Sequence, residues 1–305
     1  AGGDIPILAA VVGTVLGALG GRAEVEPSAP RVAIIGSGIS GASAAYFLAR
    51  ARPDARLVVF ERAMETGGRM RSRMWGGEGG LLIDEGATTI SSLNAYLEHW
   101  ISEFNLTKAT PPAGDLAIYD GTRVAFRADM GSAFFGVRAL WRYGLSPLKL
   151  RSVLKATVAN LTAVYTLQDK GAFWASPEAM LRQLGLWETA HARARDYLAG
   201  LGIDARFVRE FVDGASRDNY MQSADELNAF VDLVSLAGAA LEGEVFRLAR
   251  GTQDLGARVL RASGAEVRLR TVVRRVAKEA RAGRLVVTHE PAADGAAGAA
   301  PPPAA

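Results

Sequence analysis

One stretch near the start of the chain decides the fold: Arg31-Val-Ala-Ile-Ile-Gly36-Ser37-Gly38-Ile39-Ser-Gly41-Ala-Ser-Ala-Ala-Tyr-Phe-Leu48. It predicts a short buried strand, a glycine turn and the first turns of a helix. Gly36 permits the turn, Gly38 lets the backbone approach a pyrophosphate, and Gly41 lets the helix pack close to the strand. The N–H groups at the start of the helix are then available to an anion, and we predict that Ser37 and Ile39 contact the same ligand.

A second predicted strand, Leu57–Phe60, ends in an acidic residue 25 positions after Gly36. Glu61 is placed to accept hydrogen bonds from ribose hydroxyls, and Arg62 beside it is a further predicted contact. The sequence therefore predicts that an ADP-containing dinucleotide binds here. The alternative is a glycine-rich turn in an unrelated α/β fold.

Two further glycine-containing segments favour FAD over NAD. They are Gly67-Gly68-Arg69-Met70 and Ile83-Asp-Glu-Gly86-Ala87-Thr88. This pattern resembles the two-dinucleotide-fold flavoproteins related to amine oxidases and phytoene desaturases. The resemblance implies that both segments lie along the flavin side of FAD, with contacts from Gly68, Arg69, Gly86, Ala87 and Thr88. An NADP enzyme would more often carry a basic residue in place of Glu61.

Composition excludes several other classes of protein. The chain has 305 residues, 49% of them hydrophobic and 22% charged, which is typical of a globular protein. Its net charge is only +3, and no Lys/Arg cluster is interleaved with aromatic residues, so we expect no nucleic-acid partner. The absence of cysteine excludes disulfides and thiolate metal sites. The three histidines are far apart, and we predict no metal site.

The two ends of the chain differ from the rest in composition. Residues 5–21 are 17 uncharged, mostly apolar residues, which predicts a secretory signal or a membrane anchor; a poorly ordered apolar leader is the alternative. Residues 1–30 therefore form a predicted leader and linker, through which the protein could associate with a membrane. Residues 291–305 contain Ala, Gly and Pro apart from Asp294, and we expect them to be disordered.

The remaining chain divides into three predicted segments of an α/β protein. Residues 31–115 are the first part of a Rossmann-like FAD-binding domain, and residues 251–290 return to it with a helix and strands. Between them, residues 116–250 form a hairpin and an inserted, mostly helical substrate module. Its predicted helices are Phe134–Tyr143, Leu148–Leu167, Ser176–Leu186, Thr189–Leu198 and Ala205–Val212.

The helical module carries a more specific resemblance. Trp141-Arg-Tyr-Gly144 and the longer run Arg217-Asp-Asn-Tyr-Met-Gln-Ser-Ala-Asp-Glu-Leu-Asn-Ala-Phe-Val231 resemble the prenylcysteine oxidase family. This resemblance implies an FAD-dependent thioether oxidase that cleaves farnesyl- or geranylgeranyl-cysteine with O2, giving cysteine, a prenyl aldehyde and hydrogen peroxide. It also implies that the backbone of Val273 lies beside the adenine. The implied location is the secretory pathway, with a vacuole or lysosome as the destination.

No catalytic residue is identified from the sequence, which offers no obvious acid–base pair. Tyr220, Gln222 and Asn228 are the polar candidates for the substrate side, with helix capping and core hydrogen bonding as the alternative. The family's Glu-Gly-Gly-Asn element is replaced by Ala249-Arg-Gly-Thr252, and the chain ends before the family's last FAD-contacting segment. Two other functions stay open: a truncated, catalytically impaired paralogue, and another FAD-dependent oxidoreductase of the amine oxidase type.

Overall fold

A computed structural model of the chain describes residues 29–76, 80–109, 115–119, 121–129, 135–240, 244–279 and 284–293. The described residues form two units. The first holds those up to Ile90, Asn94–Ala109 and those from Arg247 onward, and the second holds Ser91–Leu93 and those between 110 and 246. The predicted boundaries after residues 115, 250 and 290 remain predictions.

Strands predominate at the start of the described chain, with two helices among them, and helices dominate its middle. The first elements are β1 (Arg31–Ile35), α1 (Ile39–Ala51), β2 (Arg56–Phe60), β3 (Ser72–Trp75), β4 (Leu81–Asp84), β5 (Ile90–Ser91), α2 (Ala95–Glu103), β6 (Lys108–Ala109), β7 (Asp115–Tyr119) and β8 (Val124–Asp129). The helices that follow are α3 (Phe135–Tyr143), α4 (Ser146–Asp169), α5 (Pro177–Gln183), α6 (Trp187–His191), α7 (Ala194–Gly200), α8 (Ala205–Phe207), a π-helical turn (Val208–Val212), α9 (Asp213–Tyr220) and α10 (Ala229–Ala240). The last elements are β9 (Val245–Leu248), α11 (Thr252–Ala262), β10 (Glu266–Arg268), β11 (Thr271–Lys278) and β12 (Leu285–Pro291).

A parallel sheet in the order β1-β2-β10 organises the first unit. β1 and β2 pair from Arg31 with Arg56 to Ile35 with Phe60, and β10 joins the other edge of β2. Leu57–Phe60 are all buried, as a central parallel strand covered on both faces requires. The strand–turn–helix–strand order confirms the predicted Rossmann-like α/β fold.

Helices α1 and α2 meet through a cluster of aromatic side chains. Tyr46 and Phe47 of α1 contact the buried ring of Trp100 at centroid distances of 5.5 and 5.9 Å. The aromatic face of α2 is therefore a packing surface. Asn94 caps α2 by accepting from the Leu97 N–H, which places the start of the helix at Ala95.

Four short antiparallel pairings join other strands of the described residues. β3 pairs with β4, β6 with β9, β7 with β8, and β11 with β12. The β7–β8 hairpin and the β11–β12 strands were expected from the sequence. Of the returning strands, β10 joins the parallel sheet, whereas β11 and β12 form a ribbon with a bulge between Val273 and Arg275.

The second unit is mostly helical and has its own apolar core, which includes Leu154, Leu198, Phe207, Val212 and Leu233. Two predicted helix boundaries in this unit are wrong. The helix predicted over Thr189–Leu198 is two helices, α6 and α7, because Ala192 and Arg193 are extended. The helix predicted over Ala205–Val212 continues to Tyr220 and ends where Met221 adopts a positive φ of 60°.

The predictions for residues 5–21 and for residues 294–305 lie outside the described residues. The disorder predicted from residue 291 begins too early, because Pro291 belongs to β12 and pairs with Thr271. Within the described ranges, no helix combines the length and the apolar character needed to cross a bilayer. The same part of the chain holds no group of three or more His, Asp or Glu side chains arranged to bind a metal ion.

Candidate functional site

The turn between β1 and α1 depends on two glycines. Gly36 has a φ of 90°, and its N–H donates to the Phe60 carbonyl at 2.8 Å, which ties the turn to β2. A Cβ on Gly41 would lie 2.0 Å from the Gly36 carbonyl oxygen and 3.5 Å from Cγ2 of Ile34. Gly41 was predicted to allow close packing of helix on strand, and the tightest of these contacts is with the turn itself.

The start of α1 is open to an anion. Gly38 is the N-cap, no side chain caps the helix, and its first turn holds no acidic residue. The first backbone N–H groups of a helix have no partner within the helix and carry the positive end of its dipole. A Cβ on Gly38 would meet no atom closer than 3.9 Å. The surrounding protein atoms therefore leave room for a side chain at position 38. A glycine at such a position is consistent with a bound ligand that approaches the backbone closely.

Glu61 is buried at the end of β2 and is held in place by the glycine turn. Its Oε2 accepts from the N–H and the hydroxyl of Ser37 at 2.8 and 2.6 Å, and Oε1 accepts from the Ala63 N–H at 2.8 Å. Burial raises the pKa of Glu61, but the hydrogen bonds from Ser37 and Ala63 and the charge of Arg62 bring it below its usual range. Glu61 is therefore ionised at neutral pH. With two acceptor positions on each oxygen, these described contacts leave one position on Oε1 for a ribose hydroxyl.

The loop that contains Gly67 and Gly68 folds onto the glycine turn. The Gly67 N–H donates to the Ser37 carbonyl at 3.2 Å, and Gly38 and Gly67 form an isolated parallel bridge. Gly67 and Gly68 have φ values of 121° and 60°. A Cβ on Gly68 would lie 3.1 Å from Cα of Gly38, so this approach also depends on glycine.

The third predicted segment lies against the same loop. Arg69 accepts through its carbonyl from the Ala87 N–H at 2.9 Å, and a Cβ on Gly86 would lie 2.1 Å from that carbonyl oxygen. Thr88 donates its hydroxyl to the Gly86 carbonyl at 3.1 Å. The structure thus brings together the three segments predicted to hold the dinucleotide, and the role of each residue remains a prediction.

Arg62 and Val273 lie at the edge of this group. Arg62 is exposed, and Val273 is half-buried and faces His289 across the β11–β12 ribbon. The chain just before Val273 is fixed to the acid-bearing segment, because the Thr271 N–H donates to the Glu61 carbonyl at 2.8 Å. The cofactor contacts of both residues remain predictions.

The sequence did not reveal the polar cluster that caps α11. Asp84 accepts from the Thr252 N–H at 3.0 Å and from the Ser72 hydroxyl at 2.5 Å, and Ser72 accepts in turn from the Gln253 N–H at 3.2 Å. Gly251 has a φ of 79°, and a Cβ there would lie 2.2 Å from the Ser72 hydroxyl. The only local signal for this cluster in the sequence was Gly251, a glycine just before an amphipathic helix. The residues that it contacts are distant in sequence and could not be inferred from it.

The polar candidates for the substrate side have separate roles. Asn228 caps α10, since its Oδ1 accepts from the Val231 N–H at 2.9 Å. This is the capping alternative that the sequence left open. Tyr220 and Gln222 are exposed. A substrate contact for any of the three remains a prediction.

A buried carboxylate that the sequence did not single out lies between α9 and α10. Asp232 is fully buried, and its Oδ1 accepts from the Ser216 hydroxyl at 2.5 Å. Its Oδ2 has no hydrogen-bond partner among the described residues. The pKa of Asp232 is raised to about 6, mainly by burial and also by the negative charge of Asp213. The hydrogen bond from Ser216 and the positive charge of Arg195 lower the pKa and so offset part of this rise.

Two family models match the chain. The prenylcysteine lyase model matches residues 133–295, which is more than half of the chain. The chain belongs to the prenylcysteine lyase family. A model of NAD(P)-binding Rossmann-like domains matches residues 34–104, the segment that contains the glycine turn and Glu61. The resemblance seen in the helical region is thereby confirmed at the level of the family.

Named relatives agree with this membership. The chain is 30% identical over 219 residues to prenylcysteine oxidase 1 of Homo sapiens, covering 70% of this chain and 42% of that protein. It is 28% identical over 267 residues to farnesylcysteine lyase of Arabidopsis thaliana, covering 80% and 52%. The chain thus spans about half the length of the curated relatives it matches.

The solved structures support the fold alone. Wild-type putrescine oxidase bound to putrescine matches with a TM-score of 0.54 and 18% identity, covering 81% of this chain and 53% of that one. A fatty acid isomerase from P. acnes matches with a TM-score of 0.53 and 14% identity, covering 87% and 56%.

Proposed function

We propose that this chain is an FAD-dependent thioether oxidase that acts on prenylcysteine. The main support is that the Gly36–Gly41 turn, the Gly67–Gly68 loop and the Gly86 segment lie in contact with one another. The chain that contains them is a member of the prenylcysteine lyase family. The names of its relatives, prenylcysteine oxidase and farnesylcysteine lyase, support the substrate. The overall reaction converts prenylcysteine, O2 and water into cysteine, a prenyl aldehyde and hydrogen peroxide.

The residues present suit FAD. The uncapped start of α1 offers N–H groups to the pyrophosphate, with Ser37, Gly38, Ile39 and Gly41 around it. The ionised Glu61 has one free acceptor position for the ribose. The backbone of Gly68, Arg69, Gly86, Ala87 and Thr88 would border the flavin side, while Arg62 and the backbone of Val273 would lie towards the adenosine.

The protein's contribution to the chemistry is mostly positioning. When bound, FAD supplies an acceptor for a hydride from the prenyl carbon attached to sulfur, and passes the two electrons to O2. Loss of the hydride leaves a cation that the sulfur and the allylic double bond stabilise. Water adds to that carbon, and the carbon–sulfur bond then breaks to release cysteine and the aldehyde. The described residues around the turn need only hold and orient, so a dedicated acid–base pair is not required.

We also propose that the protein enters the secretory pathway and reaches a vacuole or lysosome. The supporting observation is the apolar run at residues 5–21, whose composition is typical of a secretory signal. Membrane association through this run remains a prediction, because it lies outside the described residues.

The proposal is tested by the visible spectrum of the purified chain and by peroxide release. We expect one FAD released per chain on denaturation, and peroxide formation that depends on farnesylcysteine. A saturated S-alkylcysteine of equal length is the control substrate, because it lacks the allylic double bond and should react far more slowly. Bound FAD without farnesylcysteine-dependent peroxide would favour the catalytically impaired paralogue. Peroxide from an amine but not from farnesylcysteine would favour an amine oxidase.

A further inference from the structure

An exposed apolar face runs along α3 in the helical unit. Val137, Leu140 and Trp141 lie on one side of this helix and are exposed, with Trp141 90% accessible to solvent. Ala139 and Tyr143 lie on the opposite side and are buried. The helix is thus fixed to its unit by one face and presents large apolar side chains on the other.

The apolar surface continues into the start of α4. Leu145, in the short connection between the two helices, is 64% exposed, and Leu148 in the first turn of α4 is also exposed. Leu150 and Leu154, on the opposite side of α4, are buried in the core. Five large apolar residues are therefore exposed within twelve positions, whereas single exposed hydrophobic residues are the usual pattern on a soluble surface.

The charged residues of this segment are all basic. Residues 131–168 contain five basic residues and no Asp or Glu. Arg142 forms an ion pair with Glu210, with two N···O distances of 2.8 Å, and is thereby held on the side of the core. Lys149 donates through its Nζ to the carbonyls of Leu201 and Gly202, at 3.4 and 2.8 Å. Arg138 and Lys155 are exposed and flank the apolar residues. On α4, Leu148, Arg151 and Lys155 share one helical face.

We propose that this apolar–basic face, formed by Val137, Leu140, Trp141, Leu145 and Leu148 with Arg138 and Lys155, binds the surface of a membrane that contains anionic lipids. A tryptophan and leucines flanked by cations suit the boundary between acyl chains and headgroups. The cations complement phospholipid headgroups, and no acidic side chain in this segment opposes them. The helices lie on the bilayer in this arrangement and do not cross it. The inference does not depend on the proposed oxidase activity.

The test is co-sedimentation of the purified chain with vesicles made from equal parts of phosphatidylcholine and phosphatidylserine. We expect binding to these vesicles, much weaker binding to phosphatidylcholine alone, and weakening as salt is raised. Trp141→Ser should lower the affinity about tenfold, because the side chain that enters the interface is lost. Lys155→Glu should remove most of the preference for phosphatidylserine.

Matched controls lie at the other end of α4. Phe173→Ser replaces another exposed aromatic residue, and Lys170→Glu reverses another exposed cation, so neither should change binding. Circular dichroism checks that each variant folds. Two results would overturn the proposal: no binding of the wild type to the anionic vesicles, or equal binding by wild type and Trp141→Ser. A wild-type dimer that Trp141→Ser converts to a monomer, without vesicle binding, would assign the face to a second copy of the chain.

Discussion

Replacing Asp232 with asparagine should remove a distinct pH dependence from the stability of the protein. Asp232 is fully buried, and its Oδ2 has no described partner, so its ionised form is poorly accommodated in the folded state. Asp232→Asn keeps an oxygen to accept from the Ser216 hydroxyl and cannot ionise. The variant therefore resembles the protonated wild type at every pH.

The size and sign of the effect follow from the raised pKa. The pKa of Asp232 is about 6 in the folded state against 3.8 for an ordinary Asp. Between these values the folded state holds a proton that the unfolded state has released, so the free energy of unfolding falls as pH rises. Two pKa units correspond to roughly 3 kcal/mol. The loss is complete above the folded-state pKa and absent below the unfolded-state pKa.

The assay is urea denaturation of wild type and variant at a series of pH values from about 4 to about 7. The difference in unfolding free energy, variant minus wild type, should rise by up to about 3 kcal/mol across this range and then level off. Subtracting the wild type cancels the titration of all other groups. Asp218→Asn, which removes an exposed carboxylate from α9, controls for the change in net charge. A difference for Asp232→Asn that stays flat with pH would refute the reasoning.

Three further predictions concern the rest of the molecule. Gly41→Ala places a methyl carbon 2.0 Å from the Gly36 carbonyl oxygen, so it should lower stability by about 1–3 kcal/mol. The variant should also lose FAD during purification, and full FAD content would contradict this prediction. Glu61→Gln removes the charge of the buried acceptor and should weaken FAD binding about tenfold or more, measured by fluorescence titration. An unchanged Kd would show that Glu61 does not contact the ribose. Glu210→Gln breaks the ion pair with Arg142 and should lower stability by about 1–3 kcal/mol, measured by thermal denaturation. An unaltered Tm would mean that the ion pair makes no net contribution to the free energy of unfolding.

The glycine turn was predictable from the sequence because its geometry is local. Gly36 needs a positive φ, and Gly41 follows it closely enough that a side chain there meets the Gly36 carbonyl. Only the spacing within a few residues matters for these contacts. The acid at Glu61 was also predictable, since it ends the next strand of a parallel pair.

The break between α6 and α7 was not predictable, because distant residues impose it. Arg193 forms an isolated bridge with Asn228, and the Ala194 N–H donates to the Leu227 carbonyl at 3.0 Å. These contacts hold the chain extended where its apolar periodicity favours a continuous helix. Periodicity reports only on local structure, and tertiary hydrogen bonds override it here.

The cap of α11 was missed for the same kind of reason. A serine, threonine or aspartate immediately before a helix is a recognisable N-cap signal, but Gly251 occupies that position. The capping carboxylate comes from Asp84, 168 positions earlier in the chain. The sequence around either residue alone does not point to the other.

The parallel sheet also sets the order in which this protein can be made. β1 and β2 lie within the first 60 residues, but β10 comes about two hundred residues later. It joins the other edge of β2, and its Glu266 forms an ion pair with Arg56 at 2.8 Å. At the usual speed of a ribosome, β2 waits roughly 10–40 s for this partner. During that interval the buried residues Leu57–Phe60 have an open edge exposed to other chains. Folding of the nucleotide-binding unit therefore waits for the synthesis of β10, and its yield should be sensitive to chaperones that shield β2 until Arg268 emerges.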